Sequence, residues 1–313
     1  MKKPAIDLSK IKTYPLKSRS SKVQVKDFAR ELSPDKNFAR FVDGLPDILS
    51  GSNFKDLVKA VHKAKKKNKP VIWMFGAHVI KCGLSPLIIQ LARKGLVSAV
   101  ALNGAGIIHD FEIAYAGKTS EDVAQNIQNG SFGMAEETGR IINLAIVDAA
   151  AAGMGLGAAM GKKINDLGCP YRKYSILAQA ADLKIPVTVH AAIGTDIIYQ
   201  HPWCDGAAIG ETSYRDFLTL ASIIATIGDG GVVINLGSAV ILPEVFLKAV
   251  TICRNLGHKI DNFTTANFDM IYQYRPLANI VQRPVGRKGQ GFNFIGQHEI
   301  MVPLLAQALL SSQ

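Results

Sequence analysis

Five short apolar runs, rich in β-branched residues, recur along the chain. Each ends in a turn of Gly, Asn, His or Thr and is followed by a stretch with helical spacing. They are Val71–Phe75 before GAHVIKCG, Val97–Leu102 before NGAGIIHD, Val187–His190 before AAIGTD, Val232–Leu236 before GSAV and Phe263–Ala266 before NFD. Near-continuous apolar runs mark strands buried on both faces of a parallel sheet, and right-handed crossover helices must follow them to cover those faces. The pattern predicts an α/β protein whose mostly parallel sheet is flanked by helices. Ligands of such sheets bind outside the carboxyl ends of the strands, so function is to be sought in those five turns.

Apolar positions at helical spacing predict helices at Phe54–Lys66, which Pro70 stops, and then at about 84–94, 174–183, 214–226, 243–256 and 299–310. A longer helical block spans 120–165, with a break at Gly130–Gly133. Within it, Ile141–Ile164 has the length of a membrane span, but Asp148 interrupts it and its Ala and Gly residues are only weakly lipophilic. A helix packed closely through small residues is the expectation, and no membrane insertion. Residues 1–50 read as a basic, irregular arm with short helical pieces. No linker divides the remainder, so 51–313 is expected to be one domain.

The 313 residues are 48% hydrophobic, ample for a substantial core. Cys82, Cys169, Cys204 and Cys253 have no metal-ligand spacing, so no metal site is expected, and their scatter suits buried thiols in a reducing cytoplasm. The first residues, MKKPAIDLSKIK, lack the apolar core of a signal peptide. The formal charge of +11 lies largely in the first thirty residues and in KAKKKNK at 63–69. Such runs are usually solvated faces, and no aromatic residues interleave with them as a single-strand nucleic-acid binder requires. An acidic partner is the alternative, and nucleic acid is not expected.

The turns carry the candidate chemistry. In NGAGIIHD, Gly104 and Gly106 follow a strand directly, where a backbone without Cβ atoms can approach a phosphate; the same glycines equally permit a sharp strand-to-helix turn. His109 and Asp110 then either orient each other and meet a ribose hydroxyl, or Asp110 caps the following helix. NLGSA, with Asn235 and Gly237, has the same double reading. HAAIGTDIIYQHP is the densest polar cluster: Asp196 is placed to hold a cationic amine or act as a base, and His190 and His201 to move protons, unless all three are structural.

Taken in order, these segments resemble those of the deoxyhypusine synthase family. IPVTVHAAIGTDIIYQHP followed by GGVVINLGSAVILPEV is similar to its C-terminal half, FGAHVIKCGLSPLI and VSAVALNGAGIIHDFEIAYAG to its nucleotide-contacting turns, and FIGQHEIMVPLLAQALL to its last turn and helix. The likeness covers about residues 50–310. It implies a Rossmann-like fold, NAD as cofactor, and a homotetramer with active sites at a dimer interface. It further implies a reaction in which NAD oxidises spermidine, a lysine takes the 4-aminobutyl group as an imine, and a protein lysine receives it. Cofactor contacts carried over by position are His78, Asn103, Gly104, Gly106, Asn235, Gly237 and Gln297.

The departures narrow the reading. The family's imine-forming lysine falls at Leu242 and its adjacent histidines at Pro243 and Glu244. The acidic, amine-binding loop is replaced by NFDMIYQYRPLANIVQRP, in which Asp269 remains but Tyr272, Tyr274, Leu277 and Asn279 stand for carboxylates. His109 replaces a glutamate and Gln297 an aspartate. The expectation is an NAD-linked transferase of an alkyl or aminoalkyl group that works without a lysine imine. Asp196 would orient the donor, and His109, His190 or His201 would move protons. Lys81, Lys118 and Lys248 are the lysines considered as replacements. The alternative is a non-catalytic relative that binds a nucleotide or polyamine or serves as an assembly partner.

Overall fold

The computed structural model describes residues 38–311. Six strands, β1 (Val71–Phe75), β2 (Ala99–Asn103), β3 (Val187–His190), β4 (Val232–Leu236), β5 (Thr264–Asp269) and β6 (Gln290–Ile295), form one sheet. Their order is β3-β2-β1-β4-β5-β6, and every neighbouring pair is parallel. In this doubly wound order the winding reverses between β1 and β4, and the carboxyl ends of those two strands are where ligands of such sheets bind.

The five apolar runs each become a strand. The sixth, β6, carries no such run: it lies at the sheet edge, where only Phe292 and Phe294 are buried and Gln290 and Ile295 are exposed. Alternation along the pleat divides the core into two layers. Val71, Trp73, Phe75, Val232, Ile234 and Leu236 face one layer, built with helices Leu49–Lys66, Ser85–Arg93, Gly104–Ala116 and His298–Ser311. Ile72, Met74 and Val233 face the other, under helices Gly206–Ile224 and Ile241–Asn255.

The expected arm is partly folded. Residues 38–50 supply the helix Phe38–Gly44 and the start of Leu49–Lys66, and Val42 joins the core. Residues 1–37 of that arm lie outside the described residues. The long helical block also resolves differently: after a short turn at Val123–Asn126 it forms Glu136–Ala151 and Leu156–Asp166, two helices and not one. Gly153 ends the first in the left-handed conformation (φ 68°), and at Gly155 a Cβ would lie 2.0 Å from the Asp216 carboxylate. Among the described residues, no helix is long and apolar enough to cross a membrane.

That contact belongs to a recurring device, in which a buried carboxylate enters the N-terminus of a helix distant in sequence. There it meets N–H groups that have no partner within the helix and the positive end of the helix dipole. Asp216 accepts from Gly157 N at 2.8 Å and from Val189 N of β3 at 2.7 Å. Asp110 accepts from Ile176 N at 2.7 Å, Leu177 N at 3.2 Å and the Ser175 hydroxyl. It therefore anchors the helix Ile176–Asp182, and is neither a ribose ligand nor the cap of its own helix.

Burial outweighs these hydrogen bonds in both groups, pushing Asp110 up to about 6 and Asp216 up to about 7. Because the folded-state value exceeds the ordinary 3.8, the Asp216 contribution to stability is full below that value and is lost as pH rises through about 7. Comparison with Asp216→Asn, which does not titrate, isolates it. The stability of the wild type relative to the variant is expected to fall by about 1.4 kcal/mol per pH unit between pH 4 and 7. Denaturant melts across that range measure it, and a difference independent of pH would contradict the assignment.

Candidate functional site at the carboxyl ends of the strands

Strand order brings the predicted turns to one edge of the sheet, where they divide into two groups. On the β2 and β3 side, the helix Gly104–Ala116 starts directly from β2. Its N-terminus, the place expected to receive a phosphate, is filled by the protein itself. Asn103 Oδ1 accepts from Gly106 N at 3.1 Å, and the Asp196 carboxylate accepts from the Ala105 N–H and from the Tyr199 hydroxyl at 3.1 Å. A Cβ on Gly104 would lie 2.0 Å from Asp196 Oδ2, and one on Gly106 3.1 Å from the Leu102 Cβ. These two glycines thus make room for Asp196 and for the strand. Burial raises the Asp196 pKa, against the opposing effect of its hydrogen bonds.

The histidines near these turns differ in role. His190, at the end of β3 and paired in register with Asn103, is buried, with Nε2 3.1 Å from the Thr188 hydroxyl. Burial pushes it down to about 4. His201 is drawn into a structural contact: Nε2 donates to the Gly133 carbonyl at 2.7 Å, and its ring occupies the space a Cβ on Gly139 would need. His109 is half-buried, with Nδ1 2.6 Å from the Thr119 hydroxyl. Burial, and secondarily the Lys81 ammonium, push it down to about 4.

The second group surrounds the reversal point. Gly76 and Gly237 approach so closely that a Cβ on Gly76 would lie 3.1 Å from the Gly237 carbonyl oxygen. Gly237 has φ 63°, and a Cβ there would lie 2.5 Å from His298 Nε2. The His298 ring centroid is 5.9 Å from that of the exposed His78. Burial lowers the His298 pKa and His78 adds to the effect, while Asp269 opposes it. Behind Gly237, Asn235, Asn267 and Asn293 share one register across β4, β5 and β6. Asn235 Nδ2 donates to Asn267 Oδ1 at 2.7 Å, and Asn267 Nδ2 to Asn293 Oδ1 at 2.8 Å.

This side differs from the first in what it leaves over. Asn235 Oδ1, Asp269 Oδ2 and His298 Nδ1 are buried and have no hydrogen-bond partner, although such atoms are nearly always satisfied. His298 and Asn267 are absent from the sequence-derived candidates, and Asp269 appears there only through the resemblance. The turn that carries His298 is singled out in the sequence at Gln297; what the sequence does not show is that Gln297 points outward while the His298 ring is buried against Gly237. Gln297, expected as a cofactor contact, is exposed. The described residues contain no group of three or more His, Cys, Asp or Glu arranged to hold a metal.

No family model and no curated protein matches the chain. Among solved structures, unliganded AgrE superposes with a TM-score of 0.53 at 13% identity, over 91% of this chain and 34% of AgrE. The complex of AgrE with ornithine and NAD+ gives 0.52 at 13% identity over the same shares. A provisionally assigned deoxyhypusine synthase from Entamoeba histolytica aligns at 15% identity over 83% of this chain and 87% of its own, with a TM-score of 0.48. The chain spans about a third of the length of AgrE, to which it is similar (34%). The sheet order and the AgrE superposition define the class: a Rossmann-like α/β protein.

The tight seat of Asp196 has a direct test. Gly104→Ala is expected to cost about 2 kcal/mol through overpacking. Adding Asp196→Ala should recover part of that loss, because the two groups compete for one space. Urea melts of both single variants and the double variant measure the coupling, and strictly additive losses would show that the carboxylate does not occupy the helix N-terminus.

Proposed function

We propose that the chain is a deoxyhypusine synthase-like transferase that holds NAD at the β1/β4 reversal point and acts on an alkyl or aminoalkyl donor without a lysine imine. The observation that carries the NAD assignment is the set of unpartnered buried polar atoms gathered at the carboxyl ends of β4 and β5 and the start of the last helix. Asn235 Oδ1 is an acceptor suited to a hydroxyl or amide N–H of the dinucleotide, and Asp269 Oδ2 an acceptor suited to the amine beside it. Gly237 makes room for the His298 ring and Gly76 for the Gly237 carbonyl, so the β1 and β4 turns close on His298, with His78 beside it, next to these atoms. AgrE, about a third of which superposes on this chain, is known in complex with ornithine and NAD+, which is in keeping with a dinucleotide and an amine as ligands.

NAD, when bound, supplies a hydride acceptor. The chain's own residues supply position and dryness. His190, neutral by burial, excludes charge from the floor at β3; His109 presents a neutral ring at the β2 turn. Asp196 is engaged by the Ala105 N–H and Tyr199, so the donor amine is assigned to Asp269, whose second oxygen has no protein partner. Leu242, at the position of the family's lysine, is fully buried in the core layer under helix Ile241–Asn255. Lys248 is paired with Glu244 on the outside of that helix. A covalent carrier lysine is therefore not part of the proposal, which includes a cytoplasmic homo-oligomer with a small-molecule amine as substrate.

The loss of the lysine favours a second reading, a relative that binds nucleotide or polyamine without transferring anything. Calorimetric titration with NAD and NADH, alone and with a polyamine panel, separates the two. Saturable NAD binding tightened by one amine is expected for the transferase. Equal affinity with and without every amine would favour the binding protein, and no affinity for either nucleotide would reject both dinucleotide readings. Borohydride treatment with NAD and labelled spermidine is expected to leave no labelled lysine peptide; a labelled peptide would overturn the imine-free mechanism.

A further inference from the structure

The helix Gly104–Ala116 carries a hydrogen-bonded chain whose direction follows from its chemistry. Glu112 Oε1 accepts from the Thr138 hydroxyl at 3.0 Å, and Glu112 Oε2 from the Thr119 hydroxyl at 2.5 Å. A hydroxyl has one proton. Since Thr119 gives its proton to Glu112, its oxygen can only accept from His109 Nδ1, 2.6 Å away. The ring is thereby held as the Nδ1–H tautomer, with a bare lone pair on Nε2. No protein group among the described residues hydrogen-bonds that Nε2, and the ring is only half-buried. Lys81 ends the short helix His78–Lys81 after β1, which packs against the helix Gly104–Ala116, and its ammonium opposes a positive charge on the ring.

We propose that Glu112 and Thr119 are positioning residues that fix His109 as an obligate hydrogen-bond acceptor, which together with Lys81 receives a hydroxyl group carried by an anionic ligand. The pairing excludes the alternatives by charge and proton count. A cationic amine at Nε2 would face the Lys81 ammonium, and a bare phosphate oxygen offers Nε2 no proton. A hydroxyl on a phosphorylated sugar, as in a nucleotide, satisfies both groups. The ligand identity rests on the NAD reading above; the tautomer does not.

Protein labelled with 15N at histidine decides the tautomer by NMR. At pH 7, His109 is expected to show protonated Nδ1 and bare Nε2. Thr119→Val should release it to a mixture of tautomers, and Thr119→Ser should restore the wild-type pattern. A wild-type His109 with protonated Nε2 overturns the proposal whatever the ligand.

Titration with NAD and with its ribose-deoxy analogues decides the ligand. Thr119→Val is expected to weaken NAD about 2- to 10-fold, the loss of one neutral hydrogen bond. It should also erase the wild-type preference for NAD over one deoxy analogue, while Thr119→Ser keeps that preference. Unchanged affinity and preference in Thr119→Val would overturn the assignment of the hydroxyl. Failure of the unmodified protein to bind NAD, with the tautomer as expected, would place the fault in the NAD reading and remove the ligand assignment with it.

Discussion

The fold depends on aspartates that reach across the sequence into the N-termini of helices. An isolated carboxylate in a core of this size is strongly disfavoured, and a buried helix terminus with unmet N–H groups is disfavoured as well. Each cancels part of the other's penalty. Asp110 fastens helix Ile176–Asp182 to helix Gly104–Ala116, and Asp216 fastens both helix Leu156–Asp166 and β3 to helix Gly206–Ile224. Asp196 does the same between the β3 turn and the start of the β2 helix. The glycines at 104 and 155 follow as a consequence, since each clears the volume that a carboxylate fills.

The same device shapes the candidate site. On the β2 and β3 side, Asn103 and Asp196 have taken the N–H groups that an anionic ligand would otherwise meet, leaving His109 and Lys81 as the groups still open to one. On the β1, β4, β5 and β6 side, the polar atoms are buried but not used up. A ligand gains most where it satisfies groups already stripped of water, because their desolvation cost has been met by folding. The carboxyl edge is thus asymmetric: over one half the polar groups are paired within the protein, and over the other Asn235 Oδ1, Asp269 Oδ2 and His298 Nδ1 are buried without partners.

Several residues singled out by resemblance to a known family have partners within the chain itself. Position 196 carries the expected aspartate, yet its carboxylate is engaged by the Ala105 N–H and the Tyr199 hydroxyl. Position 242 carries leucine and is core. His201 lies in a promising motif, but its ring holds the loop at Gly133. Side-chain identity at a strand end is therefore a poor guide to its task when the neighbouring elements come from a hundred residues away.

Five strands were legible because burial on both faces demands continuous apolar runs, which no tertiary context is needed to recognise. The crossover helices between them followed from their spacing. β6 was not legible, since its residues are only partly buried and form no continuous apolar run, whereas β3 at the opposite edge is buried throughout. The split of 136–166 into two helices falls at Gly153, which takes the left-handed conformation, and the second helix starts after Gly155, whose empty space is filled by Asp216, 61 positions later. Among the site residues, the turns themselves could be listed from the chain, but the partners could not. Hydrogen bonds such as Asp110 to Ile176, Asn235 to Asn267 and His109 to Thr119 depend on sheet order and on the angle at which helices pack. The linear sequence determined which turns would meet at the carboxyl edge; only the tertiary structure decided which of their polar groups are already satisfied, because satisfaction is a property of pairs brought together in space.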